Sequence, residues 1–247
     1  MDVYVLSALA FGLSFVFALG GVGSAIVLVP VMHWFGVPFN EAKPTGLFVN
    51  TVSLLGSSLS NIRQGKLDFT LGLPIILGSV LFAPLGAYAS TFIPEKVVLG
   101  LFVCFLLFSS NMMLFFKGGK YKDQFRNDRP VVQLGGIGAI AGFISGLLGV
   151  GGGGFIAPAM MLLGFNPKKI AAVTAFVVPF SSLTGFVAYW SMGHFNPAVA
   201  LPVGLAASAG GYLGAYVMQS RLSPATVKRL LAVCILGLGV RMLFKLI

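Results

Sequence analysis

The chain has 247 residues, of which 57% are hydrophobic and only 9% charged, where soluble domains carry about 25% charged residues. That composition excludes a soluble globular domain and indicates a helical protein crossing a membrane several times. The formal net charge of +10 does not indicate a nucleic-acid partner, because the Lys and Arg residues sit in short loops between apolar runs, where membrane topology places them.

In chain order, the apolar runs predict ten segments. Val3–Leu19 comes first and lacks the basic flank of a signal peptide, since only Asp2 precedes it. The next four are Val22–Phe35, Thr45–Ile62, Phe69–Phe92 and Val97–Phe116. The polar stretch Lys117–Arg129 follows. Then come Val131–Leu148, Val150–Leu163, Val173–Trp190, Pro197–Met218 and Ala225–Leu246. The runs are continuously apolar and do not alternate, so they predict helices and not the strands of a barrel. The second and seventh are too short to span. About 14 helical residues rise about 21 Å, against a hydrocarbon core of about 30 Å. Each contains a proline (Pro30, Pro158) and starts at a glycine break. They read as half-helices, which leaves between eight and ten full crossings.

The second half repeats the first. Gly21-Val22-Gly23, Pro30 and Gly36 return 128 positions later as Gly149-Val150-Gly151, Pro158 and Gly164. The register holds without a gap to Leu85-Gly86-Ala87-Tyr88 and Leu213-Gly214-Ala215-Tyr216. Duplicated apolar halves with matching glycine interruptions are a signature of secondary transporters. The expected organisation is a transmembrane repeat over 1–116, a linker over 117–130 and a second transmembrane repeat over 131–247. Five segments per repeat is an odd number, so the repeats should be inverted. The loops agree: Arg63 and Lys66 face Ser191–His194, which has no Lys or Arg, and Lys168-Lys169 faces a loop with Glu41 and one Lys. The basic excess places the linker on the cytoplasmic side of a prokaryotic plasma membrane, with both termini outside.

Two groups of residues carry the functional reading. The first is the run Gly149–Pro158, with Gly151, Gly152, Gly153 and Gly154, and its counterpart Gly21, Gly23 and Ser24. Glycine permits φ > 0 and close approach of backbone N–H groups. A helix N-terminus that follows leaves unpaired, partly positive N–H groups, which suit an anion. Close helix packing through small residues is the competing explanation. The second group is hydroxyl- and amide-bearing: Thr45, Asn50 and Thr51 in the third segment, and Thr174 and Ser181 in the eighth. Such groups ligate an oxyanion while staying neutral in lipid, or else bond the preceding turn of their own helix.

The acidic residues all fall at loops or segment ends, so no intramembrane carboxylate serves a proton relay or sodium site. His33 is the one candidate for proton coupling; capping the interface is its alternative. Cys104 and Cys234 lie in apolar runs without a CxxC pattern, and no metal, cofactor or hydrolytic motif is present, so an enzyme is not expected.

At these residues the chain resembles the sulfite exporter TauE/SafE family of membrane permeases. The resemblance rests on the glycine–proline run Gly149–Pro158, its degenerate copy Gly21–Pro30, the threonine segments Lys43-Pro44-Thr45 and Ala171-Ala172-Val173-Thr174, and the paired Leu-Gly-Ala-Tyr. It departs from the family pattern at Ser24-Ala25-Ile26, where the first copy lacks glycines, and at Gly46 and Ala175, which replace a small hydroxyl residue. The resemblance implies transport of small sulfur oxyanions, such as sulfite or organosulfonates. Residue chemistry alone reaches a small anion and does not reach sulfur. An anion channel on the same scaffold, and a non-transporting scaffold or insertase subunit, remain as alternatives. The oligomeric state is not legible.

Overall fold

The computed structural model describes residues 3–18, 23–65, 67–115, 128–193, 197–221 and 224–246. They form ten helices: α1 (Val3–Ala18), α2 (Ala25–Trp34), α3 (Phe39–Arg63), α4 (Phe69–Phe92), α5 (Glu95–Phe115), α6 (Val131–Leu148), α7 (Gly153–Leu162), α8 (Pro167–Ser191), α9 (Pro197–Arg221) and α10 (Pro224–Leu246). Away from their ends, helices satisfy their own backbone donors and acceptors, as a lipid environment demands. Five of them (α4, α5, α6, α8 and α9) contain stretches long and apolar enough to cross a bilayer. The chain is an all-α polytopic membrane protein.

The internal repeat is visible in the helix bounds. α2 and α7, and α3 and α8, begin and end 128 residues apart. So do three pairs of glycines with positive φ: Gly23 and Gly151, Gly36 and Gly164, Gly65 and Gly193. The packing repeats as well. α4 lies on α6 as α1 lies on α9, α3 lies on α9 as α8 lies on α4, and α3 meets α8 while α5 meets α10. The first helix of each half therefore packs on the fourth helix of the other, and the halves interlock.

Small residues make these crossings close. A Cβ added at Gly138, Gly142 or Gly146 of α6 would collide with the α4 backbone at Ile75, Ser79 or Ala83, and one at Gly210 or Gly214 of α9 with the α1 backbone at Phe11 or Phe15. Without a hydrophobic drive between helices in lipid, such contact supplies the dispersion energy of association. The opposite face of α4 carries Leu73, Leu77, Leu81, Leu85, Tyr88 and Phe92, all exposed. Their spacing marks the lipid-facing stripe.

α3 differs from the sequence reading. It starts at Phe39, not Thr45, and so takes in Asn40, Glu41 and Lys43. Hydropathy assigned these polar residues to a loop, but Pro38 at the N-cap sets the helix start and Asn40 and Glu41 lie exposed in its first turn. α8 is extended in the same way back to Pro167. α3 is rich in Ser, Thr and Asn, yet its buried residues run from Phe39 to Asn61. Surrounding helices shield its polar groups from lipid.

At one end of the bundle Asp68 caps α4, accepting from the Leu71 N–H at 3.4 Å, and pairs with Lys169 Nζ at 2.9 Å. Partial burial pushes the carboxyl pKa up. Hydrogen bonds from Thr70, Lys169 and Leu71 and the charge of Lys169 outweigh it and hold the group down at about 2. The folded pKa lies below the unfolded value of about 3.9. This contribution is therefore complete above the unfolded value and disappears as pH falls through the folded one. Asp68→Asn keeps a capping oxygen and removes the charge. It should lower stability at neutral pH by about 1 kcal/mol or less. Thermal unfolding between pH 5 and pH 2 should then be flatter for the variant than for the parent.

Candidate functional site

The two glycine breaks meet at Asn50. This residue stands near the middle of α3 and is fully buried. Gly23 has φ +87° and Gly151 φ +68°, in the left-handed region that disfavours a side chain. A Cβ at Gly23 would strike Asn50 Oδ1, and a Cβ at Gly151 would strike Asn50 Nδ2 and come within 2.9 Å of Ser182 Oγ. One carboxamide thus bridges the breaks of both repeats. Its Nδ2 donates to Ser182 Oγ at 2.9 Å, and its Oδ1 accepts from the Ala25 N–H at 3.4 Å.

The half-helices α2 and α7 start beside this amide. Each has ten residues and a rise of about 15 Å, half of what a bilayer requires. Neither N-cap, Ser24 or Gly152, donates or accepts a side-chain cap bond. Ser24 Oγ accepts from Ser14 Oγ instead, at 2.9 Å. An oxygen of Asn50 therefore occupies the first free amide of α2, where a helix N-terminus would otherwise hold an anion.

The surroundings are asymmetric despite the repeat. The position equivalent to Asn50 is Val178, whose Cγ1 lies 3.1 Å from the Cβ position of Gly151. Thr174, Val178 and Ser182 are spaced by four and share one face of α8. Thr174 Oγ1 is buried without a hydrogen-bond partner. Buried hydroxyls normally find one.

The other hydroxyls named from sequence turn inward on their own helices. Thr45 Oγ1 donates to the Glu41 carbonyl at 3.0 Å, Thr51 Oγ1 to that of Leu47 at 2.8 Å, and Ser181 Oγ to that of Val178 at 3.0 Å. Thr45 also stands about 140° round the helix from Asn50 at 100° per residue. The structure thus brings Gly23, Gly151, Asn50 and Ser182 together, with Thr174 on the same face as Ser182, and leaves Thr45 apart. Ser182 meets the amide where Ser181 was expected. A four-residue stagger from Thr174 through Val178 would have selected it.

Within the glycine-rich run, the left-handed residues are Gly149 and Gly151. Gly152 is right-handed, with φ −65°. Its role is packing, since a Cβ there would lie 2.8 Å from the Ala141 carbonyl oxygen. Gly153 and Gly154 are the first residues of α7, and a Cβ at Gly154 would press on Phe105. Gly21 lies outside the described residues. His33 sits at the far end of α2 from Gly23, edge-on to Phe39 at 5.8 Å, with Nδ1 buried and without a partner.

Comparison with known proteins agrees with this architecture. The chain matches the family described as Sulfite exporter TauE/SafE over residues 6–242. It is 28% identical over 252 residues to "Probable membrane transporter protein YunE" of Bacillus subtilis, covering 91% of each chain. A protein of Methanocaldococcus jannaschii, also named a membrane transporter, is 25% identical over 249 residues, covering 93% of this chain and 90% of the other. "Sulfite exporter TauE/SafE family protein 3" of Arabidopsis thaliana is 34% identical over 100 residues, which is 40% of this chain and 21% of the plant protein. A match spanning nearly the whole chain, over ten helices with paired glycine breaks, places this protein in the sulfite exporter TauE/SafE family of multi-pass membrane transporters.

Proposed function

We propose that the protein is a secondary carrier of small sulfur oxyanions, sulfite or short organosulfonates, working by alternating access between two inverted repeats. One observation carries this reading. The left-handed glycines of both repeats converge on one buried carboxamide at mid-helix depth, beside the N-termini of two half-helices that lack a cap from their own N-cap side chains. Binding sites at the repeat interface, faced by half-helix N-termini, are how carriers of this kind hold anions. In the proposed cycle the oxyanion displaces Asn50 Oδ1 from the Ala25 N–H and takes donors from Asn50 Nδ2, Ser182 and Thr174. Rocking of one repeat against the other then exposes the site to the opposite side. Sulfur as the central atom comes from the family; the donor set supports an oxyanion.

Thermal unfolding of the purified chain with sulfite, sulfate, thiosulfate, taurine and sulfoacetate tests the reading. A ligand of the folded state raises the transition by mass action. Sulfite or sulfoacetate should do so in a saturable way, and no shift with any of these solutes would refute it. Thr174→Val should weaken that shift about tenfold in solute concentration, because it removes a donor to a charged group. Thr45→Val, which breaks only a bond within α3, should change it little. Equal effects from both would move the site.

For orientation we propose a cytoplasmic linker and external termini. The linker 117–130 lies almost wholly outside the described residues, so the test is chemical. In a background lacking Cys104 and Cys234, a single cysteine at Lys120 should resist an impermeant thiol reagent in intact cells. Labelling from outside would reverse the topology.

A further inference from the structure

We infer that the protein holds a second oxyanion site about 10 Å from Asn50, built around Lys43 at the end of the bundle where α3 and α5 begin and α4 and α8 finish. The separation is seven residues of α3 at about 1.5 Å per residue, and seven residues return a side chain to nearly the same face. The inference rests on the proposed anion reading.

Lys43 is 1% exposed, which is rare for a lysine. Its Nζ finds one oxygen, Ser90 Oγ at 3.2 Å. The rings of Phe39 and Tyr189 flank it, with centroids at 5.3 and 5.2 Å. An ammonium has three donors and no acceptor, so two of its N–H bonds lack an oxygen. Among the described residues no carboxylate lies within 4 Å of it, whereas Lys169 pairs with Asp68 at 2.9 Å. Glu95 across the cavity attracts the ammonium without pairing with it, and a buried cation without a bonded counter-ion is costly unless something charged completes it.

A cavity of about 150 Å³ adjoins this ammonium. Lys43, Ser90, Val98 and Tyr189 are its buried part, while Asn40, Thr91 and Glu95 are exposed and form its mouth. Since one water needs about 10–15 Å³ of such space, the cavity has room for several waters or one small oxyanion. Tyr189 is itself fixed, its hydroxyl donating to the Gly146 carbonyl at 2.9 Å and lying 2.6 Å from Ser90 Oγ. The floor therefore presents a preorganised cation with hydroxyls beside it, and the ligand class it selects is a small anion with oxygen acceptors. Glu95 at the mouth is the one carboxylate lining the cavity, and it opposes anion entry.

Lys43 also joins this cavity to the glycine run. A Cβ at Gly149 would lie 2.5 Å from Lys43 Cβ, and one at Gly46, the next turn of α3, 3.3 Å from the Gly149 carbonyl oxygen. The left-handed Gly149 thus lets α6 close against the lysine stem. Asn50 does not line the cavity, so an anion bound at Lys43 is held apart from the central site.

The test measures sulfite and sulfoacetate binding to the full-length purified chain by calorimetry and thermal unfolding, for the parent and for Lys43→Met, Lys43→Arg and Glu95→Gln. Of the two binding events expected for the parent, Lys43→Met should weaken one about tenfold or more, the loss of charge-assisted hydrogen bonds, and leave the other. It should also raise the unfolding temperature in the absence of anion, because a buried charge without a bonded counter-ion is gone. Lys43→Arg should retain binding in part. Glu95→Gln should tighten it several-fold. A structural Lys43–Glu95 pair predicts lower anion-free stability for both neutral variants and unchanged binding, and that result would overturn the site. If the parent binds neither anion, the carrier reading falls along with it. If the parent binds and Lys43→Met binds equally well, the second site alone is wrong.

Discussion

Replacing Gly151 with alanine is expected to abolish transport. Two costs coincide there. The residue has φ +68°, where an L side chain costs about 1–2 kcal/mol. The new Cβ would also lie on Asn50 Nδ2, so the carboxamide must leave its place between the repeats. Gly36→Ala separates these effects. Gly36 has φ +87° but open space around its Cβ position, so only the backbone cost applies. Both variants should lose some thermal stability, and only Gly151→Ala should lose flux. Equal transport by the two would mean that the glycine break merely turns the chain.

The second large effect is expected at Asn50 itself. Asn50→Leu nearly conserves volume but strips Ser182 Oγ and the Ala25 N–H of their partner. Leaving a buried polar group unsatisfied costs about 1–3 kcal/mol. Transport should fall by more than that stability loss explains, because the donor amide at the meeting point of the repeats is lost. Ser182→Ala should be milder, since Oδ1 keeps its backbone donor. Measuring unfolding and flux on the same preparations distinguishes a crippled site from a crippled fold. An Asn50→Leu protein that unfolds earlier yet transports normally would assign the residue to packing.

Much of the fold was legible because lipid imposes simple rules. Long apolar runs had to be helices, and the 128-residue repeat predicted that α2 and α7 would be short together, as they are. The convergence of Gly23 and Gly151 on one residue was not legible. It depends on how α3 crosses α8, and a repeat in sequence does not say which faces meet. Asn50 was named for its chemistry, but its equivalent Val178 is apolar, so symmetry gave no reason to rank it above Thr45. Chemistry alone does not separate Thr174 from Thr45 and Thr51, because a hydroxyl in a helix can bond back to its own preceding turn, as Thr45 and Thr51 do. In the sequence Lys43 reads as a loop charge. Hydropathy averages treat a lysine near a helix start as solvent-exposed, whereas the ends of α4 and α8 close over it through Ser90 and Tyr189. A lysine followed by proline and threonine carries no local mark of that burial.

Counterflow in proteoliposomes tests the carrier mechanism most directly. Vesicles containing the purified chain are loaded with unlabelled sulfite and diluted into radiolabelled sulfite under anaerobic conditions. Uptake should be saturable and accelerated by preloading, because a carrier returns faster with solute bound than empty, and Gly151→Ala should abolish it. Uptake that rises linearly with concentration and ignores preloading would establish a channel instead, and the absence of flux with both sulfite and sulfoacetate would contradict oxyanion transport altogether.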